Sequence, residues 1–197
     1  MSSSKGLWIG VCLAALAAGC NKPPESASKT AGAAVEGPGL GQPVSAAEIA
    51  AIDITIEPDG SNLPAGHGTV KEGLAVYQQH CLSCHGPAGK GEVTNAPVLV
   101  GGVRSLATPK PLKTVNSFWN SAPKVFDYIR RTMPPLAPQS LSNDQVYAVT
   151  AYLLSLDGVV SGDAELDAKR LAAVQMPNKG GYIPVAEFLA APKTPKS

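Results

Sequence analysis

An all-α domain is the fold class this sequence predicts, with three to five helices joined by extended, irregular loops around one covalently held group. Three observations carry that expectation. Three segments open with a capping box, Ser45/Glu48, Thr69/Glu72 and Ser142/Gln145, and each is followed by a helical pattern. The stretches between them are rich in Gly and Pro, which punctuate helices. Cys81-Leu82-Ser83-Cys84-His85 reads C-x-x-C-H, the attachment sequence for c-type haem. Two thiols, Cys81 and Cys84, add across the porphyrin vinyl groups, and His85 supplies an imidazole nitrogen to the iron. The chemistry implied is one-electron transfer, with the protein tuning the potential of the metal.

Other uses of the cysteine pair fit less well. A thioredoxin-like redox pair leaves His85 unexplained and needs a strand-helix context that is missing here. A zinc site needs a fourth ligand, and no second cysteine pair supplies one; His67 and His80 are the remaining histidines.

The 197 residues suffice for one domain plus some non-globular sequence. With 16 Lys+Arg against 15 Asp+Glu the charge is balanced, which argues against nucleic-acid binding. Aromatics make up only 5%, so a haem would add apolar bulk to a core otherwise short of it.

Residues 1–19 read as an export signal: Lys5 is the charged start, and residues 7–18 form an apolar run too short to span a bilayer. The run ends Leu16-Ala17-Ala18-Gly19-Cys20 and resembles a bacterial lipobox, in which Cys20 would carry the lipid; Ala17 stands where that pattern usually has Leu. Cleavage by ordinary signal peptidase is the alternative. Cys12 leaves with the leader, so no cysteine remains for a structural disulfide. Bacterial c-type haem is attached outside the cytoplasmic membrane, and the leader and the haem motif agree on that compartment.

Residues 20–42 form a flexible tether of Pro, Gly, Ala, Ser and charged residues, whose 22 residues after Cys20 would span ~26 Å as a coil. The domain is expected over 43–185 with its core at 69–156, and 186–197 as a tail. Its first helix is predicted over 46–51. Ile52-Asp53-Ile54-Thr55-Ile56 alternates as an extended segment, Pro58-Asp59-Gly60 is a turn, and 61–68 is a loop. A helix over 69–80 buries Val70, Leu74 and Tyr77 and delivers the chain into Cys81. Residues 86–123 are irregular, with a short helix late in the stretch. A helix over 122–131 has Val125, Tyr128 and Ile129 on one face, and Pro134, Pro135 and Pro138 break the loop after it. The last helix runs from its Ser142 cap to about Leu156, with a stripe of Val146, Val149, Tyr152, Leu153 and Leu156, and stops at Asp157-Gly158.

His85 leaves the sixth position of the iron to be filled. A thioether there stabilises ferrous iron. Met133 sits in the proline-stiffened loop, with no helical face to serve, and is the preferred ligand. Met176, also followed by Pro, and a bis-His arrangement through His67 are the alternatives; His80 is too close to Cys81 to reach over the ring.

Over about 69–156 the chain resembles the class I cytochrome c family. Gly73 and Tyr77 look like the small and aromatic pair that crosses the last helix, with Tyr152 as partner. Pro97, 12 residues past His85, sits where that family offers a carbonyl to the ligand imidazole. Met133-Pro134 followed by a capped helix is the family's usual ending. The resemblance implies the class I fold and one covalent haem c. Within the family, the run from Val125 to Pro134, then Ser140-Leu141-Ser142-Asn143-Asp144-Gln145-Val146, is similar to the cytochrome subunits of sulfite and sulfane (Sox-type) dehydrogenases; Val174-Gln175-Met176-Pro177-Asn178 and Pro58-Asp59-Gly60 are similar too. That similarity implies a molybdenum-cofactor dehydrogenase as electron donor and another cytochrome or an oxidase as acceptor, with Met176 part of a C-terminal wrap. Trp119 and Arg104 are candidate donors to the haem propionates.

Between residues 86 and 141 lie Lys90, Arg104, Lys110, Lys113, Lys124, Arg130 and Arg131, against Glu92 and Asp127; 144–167 is acidic instead. A basic rim at the haem edge would steer an acidic partner. The function expected is a periplasmic, lipid-anchored monohaem electron carrier with His85/Met133 ligation that makes no product itself. Its rivals are a carrier for another dehydrogenase, a sensor or enzyme with an open sixth position, and a zinc-binding module.

Overall fold

The computed structural model describes residues 41–91, 94 and 96–190, with Phe188 described by its backbone alone. The leader, Cys20 and nearly all of the tether lie outside the described residues. Residues 41–45 are exposed and without regular structure, and the compact body begins at Ala46.

Three helices make the core, and each begins and ends for a local reason. Helix α1 (Ala46–Ile52) is short and exposed, and is followed by an extended strap. The strap keeps the expected alternation only in part, since Ile56 is fully buried and Ile54 half-buried while Ile52 is 76% exposed. Lys124 Nζ holds the Ile56 carbonyl at 2.6 Å, and Ser121 Oγ holds that of Pro58 at 2.8 Å. Strand β1 (His67–Thr69) leads into helix α2 (Val70–His80), whose capping box is formed by Thr69 and Glu72 as the sequence predicts. Helix α3 (Leu82–His85) is a single turn, and a 3-10 turn follows at Pro87–Gly89. Helix α4 (Val115–Phe118) is the short helix expected late in the irregular stretch, with Thr114 and Ser117 as its capping box. Helix α5 (Ala122–Thr132) and helix α6 (Asn143–Ser155) complete the core; Ser142 and Gln145 cap the latter.

The chain after α6 is more ordered than its sequence predicts. Strand β2 (Glu165–Asp167) pairs antiparallel with β1, His67 opposite Asp167 and Thr69 opposite Glu165. Helix α7 (Ala168–Ala173) buries Leu171, and Met176 is 4% exposed within the core. Asn178 Nδ2 then donates to the Phe118 carbonyl at 2.6 Å, and Tyr182 stacks on Phe118 at 5.5 Å, so the wrap returns to α4. Helix α8 (Val185–Ala190) begins at the last residue expected in the domain and continues into positions expected to be tail. No described helix is long and apolar enough to cross a membrane.

Helix α6 is buried all round rather than along one stripe: every residue from 146 to 154 is buried. The cause is tertiary, for α2, the β1–β2 ribbon, α4 and α5 all pack against it. Helix α2 correspondingly buries Gly73, Val76 and Tyr77, whereas Leu74 is 39% exposed. The close face is set by Gly73. A Cβ there would run into the Ala148 carbonyl oxygen and lie 2.7 Å from Tyr152 Cβ. One turn on, the Tyr77 and Tyr152 rings meet at 5.2 Å, a pairing worth about 0.5–1.5 kcal/mol beyond its buried area.

Replacing Gly73 by Ala is expected to cost about 1–3 kcal/mol, because backbone must move to admit the methyl group. Urea denaturation of the holoprotein measures this; Lys71→Ala on the exposed side of α2 should stay within ~0.5 kcal/mol of wild type.

Candidate functional site

Helix α2 ends at His80, and Cys81 is at once its C-cap and the N-cap of α3. The bend between the two helices is hydrogen-bonded throughout: Cys81 N–H donates to the Tyr77 carbonyl at 2.9 Å, and His85 N–H to the Cys81 carbonyl at 2.9 Å. The helical turn of α3 brings Cys84 round to the side of Cys81, with His85 next in line. Gly86 then takes φ = 71°, and a Cβ there would strike the Gly91 carbonyl. Gly91 N–H closes the turn on the His85 carbonyl at 2.8 Å. From α2, the Tyr77 hydroxyl donates to the Gly86 carbonyl at 2.7 Å, and burial pushes its pKa up to about 12, so it stays a donor. The helix that packs on α6 therefore also clamps the turn behind the histidine.

Cys81, Cys84 and His85 line one cavity of about 490 Å³. Its size falls in the range of cofactor sites, ~300–1,000 Å³. Val98 and Leu99 form one wall, Val115, Phe118 and Trp119 another, Val149 and Leu153 of α6 the back, and Met133 with Pro134, Pro135 and Leu136 a further side. The lining is apolar apart from a few groups, His80 and Lys113 among them.

Both thiols are free, and burial, with a smaller contribution from Cys84, pushes the Cys81 thiol up to about 11. That is the reverse of the lowered thiol of a redox pair. His85 Nδ1 lies 3.0 Å from the Pro97 carbonyl. A carbonyl only accepts, so Nδ1 carries the proton and Nε2 keeps its lone pair for a metal. Among the described residues, no group of three or more His, Cys, Asp and Glu side chains is placed to hold a metal ion. Two thiols outside any disulfide, an imidazole with a free lone pair and a thioether around an apolar cavity are the donor set of a covalent haem. The residues present therefore fit that group.

The remaining expected residues divide. Pro97, Trp119 and Met133 line the cavity. Arg104 is exposed, with φ = 67°, and is not among the lining residues; the cation found there is Lys113, whose Nζ also sits over the Phe118 ring at 5.2 Å. His67 lies in β1, and Met176 lies in the core away from the cavity lining. Tyr128, expected in the core, is 46% exposed and stacks on Trp119 at 5.4 Å; these two rings also line an adjoining surface groove of about 320 Å³. Sequence reasoning missed the wall at 98–99 and Val115, because nothing in the irregular stretch says which of its apolar residues turn inward. Leu136 at the rim, 99% exposed, was missed as well.

The cytochrome c family model matches residues 70–157. No curated protein matches the chain significantly. Among solved structures, a chain of the sulfane dehydrogenase SoxCD from Paracoccus pantotrophus is 37% identical, with 81% of each chain covered and a TM-score of 0.67. That match reaches well beyond the family-model segment, into the flanking sequence. The chain thus belongs to the cytochrome c family, whose covalently bound haem c and one-electron transfer it shares.

Proposed function

We propose that this protein is a monohaem electron carrier in which His85 and Met133 hold the iron and Cys81 and Cys84 hold the porphyrin. One observation carries the reading: these four residues, from two separate stretches of chain, line a single apolar cavity, and the Pro97 carbonyl fixes the tautomer of His85. When bound, the haem supplies an iron that alternates between ferric and ferrous states. The chain's own part is to seat it, exclude water and set its potential. The Pro97 carbonyl makes the imidazole a better donor, the Met133 thioether favours the ferrous state, and the apolar walls lower the local dielectric.

The donor proposed is a sulfite- or sulfane-type molybdenum dehydrogenase, on the strength of the likeness to SoxCD. The acceptor is a downstream cytochrome or oxidase. As a relay the protein makes no product of its own. Its place is the periplasmic side of a bacterial membrane, held there by lipid on Cys20 and separated from it by the tether.

Protein made in a host competent for cytochrome maturation is expected to weigh its peptide plus one haem, and its ferric form to show the long-wavelength absorption band of thioether-ligated iron. Met133→Ala should abolish that band and let the ferrous form bind carbon monoxide; a wild type that binds carbon monoxide readily has an open sixth position. Cys20→Ala is expected to move the protein from the membrane fraction to the soluble periplasm, and fractionation with an immunoblot checks it.

The basic rim is smaller than the sequence count implies, because Lys124 and Arg131 both approach Asp127, at 3.8 and 2.7 Å. Lys113 remains at the cavity edge. Oxidation of the ferrous protein by ferricyanide, an anion, should slow as salt rises from ~0.01 to ~0.15 M, the range in which the screening length shortens from about 30 to 8 Å. A rate independent of salt removes the basic rim from the account.

A further inference from the structure

Asp157 follows α6, where the sequence reads only a stop signal. Its half-buried carboxylate uses both oxygens. The Gly101 N–H lies 3.0 Å from each, and Asn116 Nδ2 donates to Oδ2 at 2.9 Å. Asn116 is fully buried, and the same Nδ2 donates to the Leu153 carbonyl at 2.9 Å. Carboxylate and carbonyl can only accept, so the amide has one permitted orientation.

Gly101 ends the segment that Pro97 begins. Inside that segment, Leu99 N–H donates to the Gly89 carbonyl at 2.8 Å, and the Leu99 carbonyl accepts from Val115 N–H at 3.1 Å. At its end, the Gly101 carbonyl accepts from Thr114 Oγ1 at 2.6 Å. The 97–101 segment is therefore pinned to the turn behind His85, to the start of α4 and, through Asp157, to the end of α6. Its first carbonyl is the one that holds His85 Nδ1.

We propose that Asp157 is a positioning residue for the iron-ligating histidine: by anchoring Gly101 to the end of α6 it keeps the Pro97 carbonyl against the imidazole. This rests on the reading of His85 as iron ligand. The site requires a carboxylate. Gly101 N–H reaches both oxygens and Asn116 Nδ2 reaches Oδ2, so an asparagine at 157 could keep one oxygen for the pair only by setting its own NH₂ against the Gly101 N–H. Loss of the anchor loosens the Nδ1–H hydrogen bond, which weakens the imidazole as a donor to iron and favours the ferrous state. Loss of a negative charge from behind the cavity wall acts in the same direction, because ferric iron is the more positive state.

Redox titration of the holoprotein is the test, with urea denaturation and amide exchange beside it. Asp157→Asn is expected to raise the ferrous-to-ferric ratio about tenfold at fixed ambient potential, about 59 mV for one electron. Gly101 amide exchange should speed up, and Asp157→Glu, which keeps the charge, should shift the ratio less. A purely structural residue would lower stability and leave the potential alone, and one acting through its charge alone would shift the potential in Asp157→Asn but leave Gly101 exchange unchanged; an unmoved potential or an unmoved Gly101 exchange in Asp157→Asn therefore overturns the proposal whatever happens to stability. Should that variant not fold, Thr114→Val, which removes the bond on the other side of Gly101, is expected to shift the ratio the same way, and no shift there overturns it too. A loaded wild type with an unmoved variant sinks this proposal alone, whereas a colourless wild type sinks the haem reading with it.

Discussion

The close crossing of α2 and α6 at Gly73 is the contact from which the site follows. With no side chain at 73, the backbone of α2 lies against the Ala148 carbonyl, and the Tyr77 ring meets Tyr152 one turn along. Strand β1 uses the same residue of α6, since a Cβ on Gly68 would lie 2.6 Å from Ala148 Cα. Entry into α2 and its first turns are thus both referenced to one point on the most buried helix. The end of α2, which is Cys81, inherits that reference, and the Tyr77 hydroxyl passes it on to Gly86 behind His85. A displacement at residue 73 would be carried along a stiff rod to the thiols and the imidazole.

The cavity is the complement of this rigidity. Protein interiors are close-packed, and apolar side chains do not ordinarily leave some 490 Å³ between them. The helices around the C-x-x-C-H turn are each tied to another part of the chain: the Ile56 strap to Lys124 of α5, the β1–β2 ribbon to α6, and Asn178 of the wrap to Phe118 of α4. The family's haem supplies apolar surface in a chain with 5% aromatics. The lining is mostly apolar, so electrostatic control falls to individual groups such as the Pro97 carbonyl.

What was legible in the sequence is what local chemistry controls. Capping at Thr69 and Ser142 depends on residues three apart and appears as read. The same holds for C-x-x-C-H, where one helical turn sets the spacing, and for the helix boundaries of α5. Reading one face of a helix from periodicity failed where more than one neighbour packs on it. Leu74 satisfied the spacing and is 39% exposed, while Val76, off the presumed stripe, is buried, because Gly73 and not Leu74 marks the line of contact. Tyr128 likewise fell on an apolar face, yet its contact is Trp119 at the surface between two concavities. Arg104 was chosen for its charge, and a loop residue's charge carries no information about its distance from the cavity.

By itself the sequence determined the fold class, the three core helices, and the cysteines and histidine of the attachment turn; the residue pair at the helix crossing came from the family resemblance. Helices and attachment turn are written in neighbours a few positions apart or in a residue type with one use. Tertiary structure alone decided which apolar residues of the irregular stretch become walls, that Lys113 and not Arg104 reaches the cavity, that a β1–β2 ribbon joins chain segments about a hundred residues apart, and that Asp157 meets Gly101 and Asn116. These depend on segments distant in sequence arriving together, and loop closure costs so little per added residue that spacing along the chain leaves their partners unspecified.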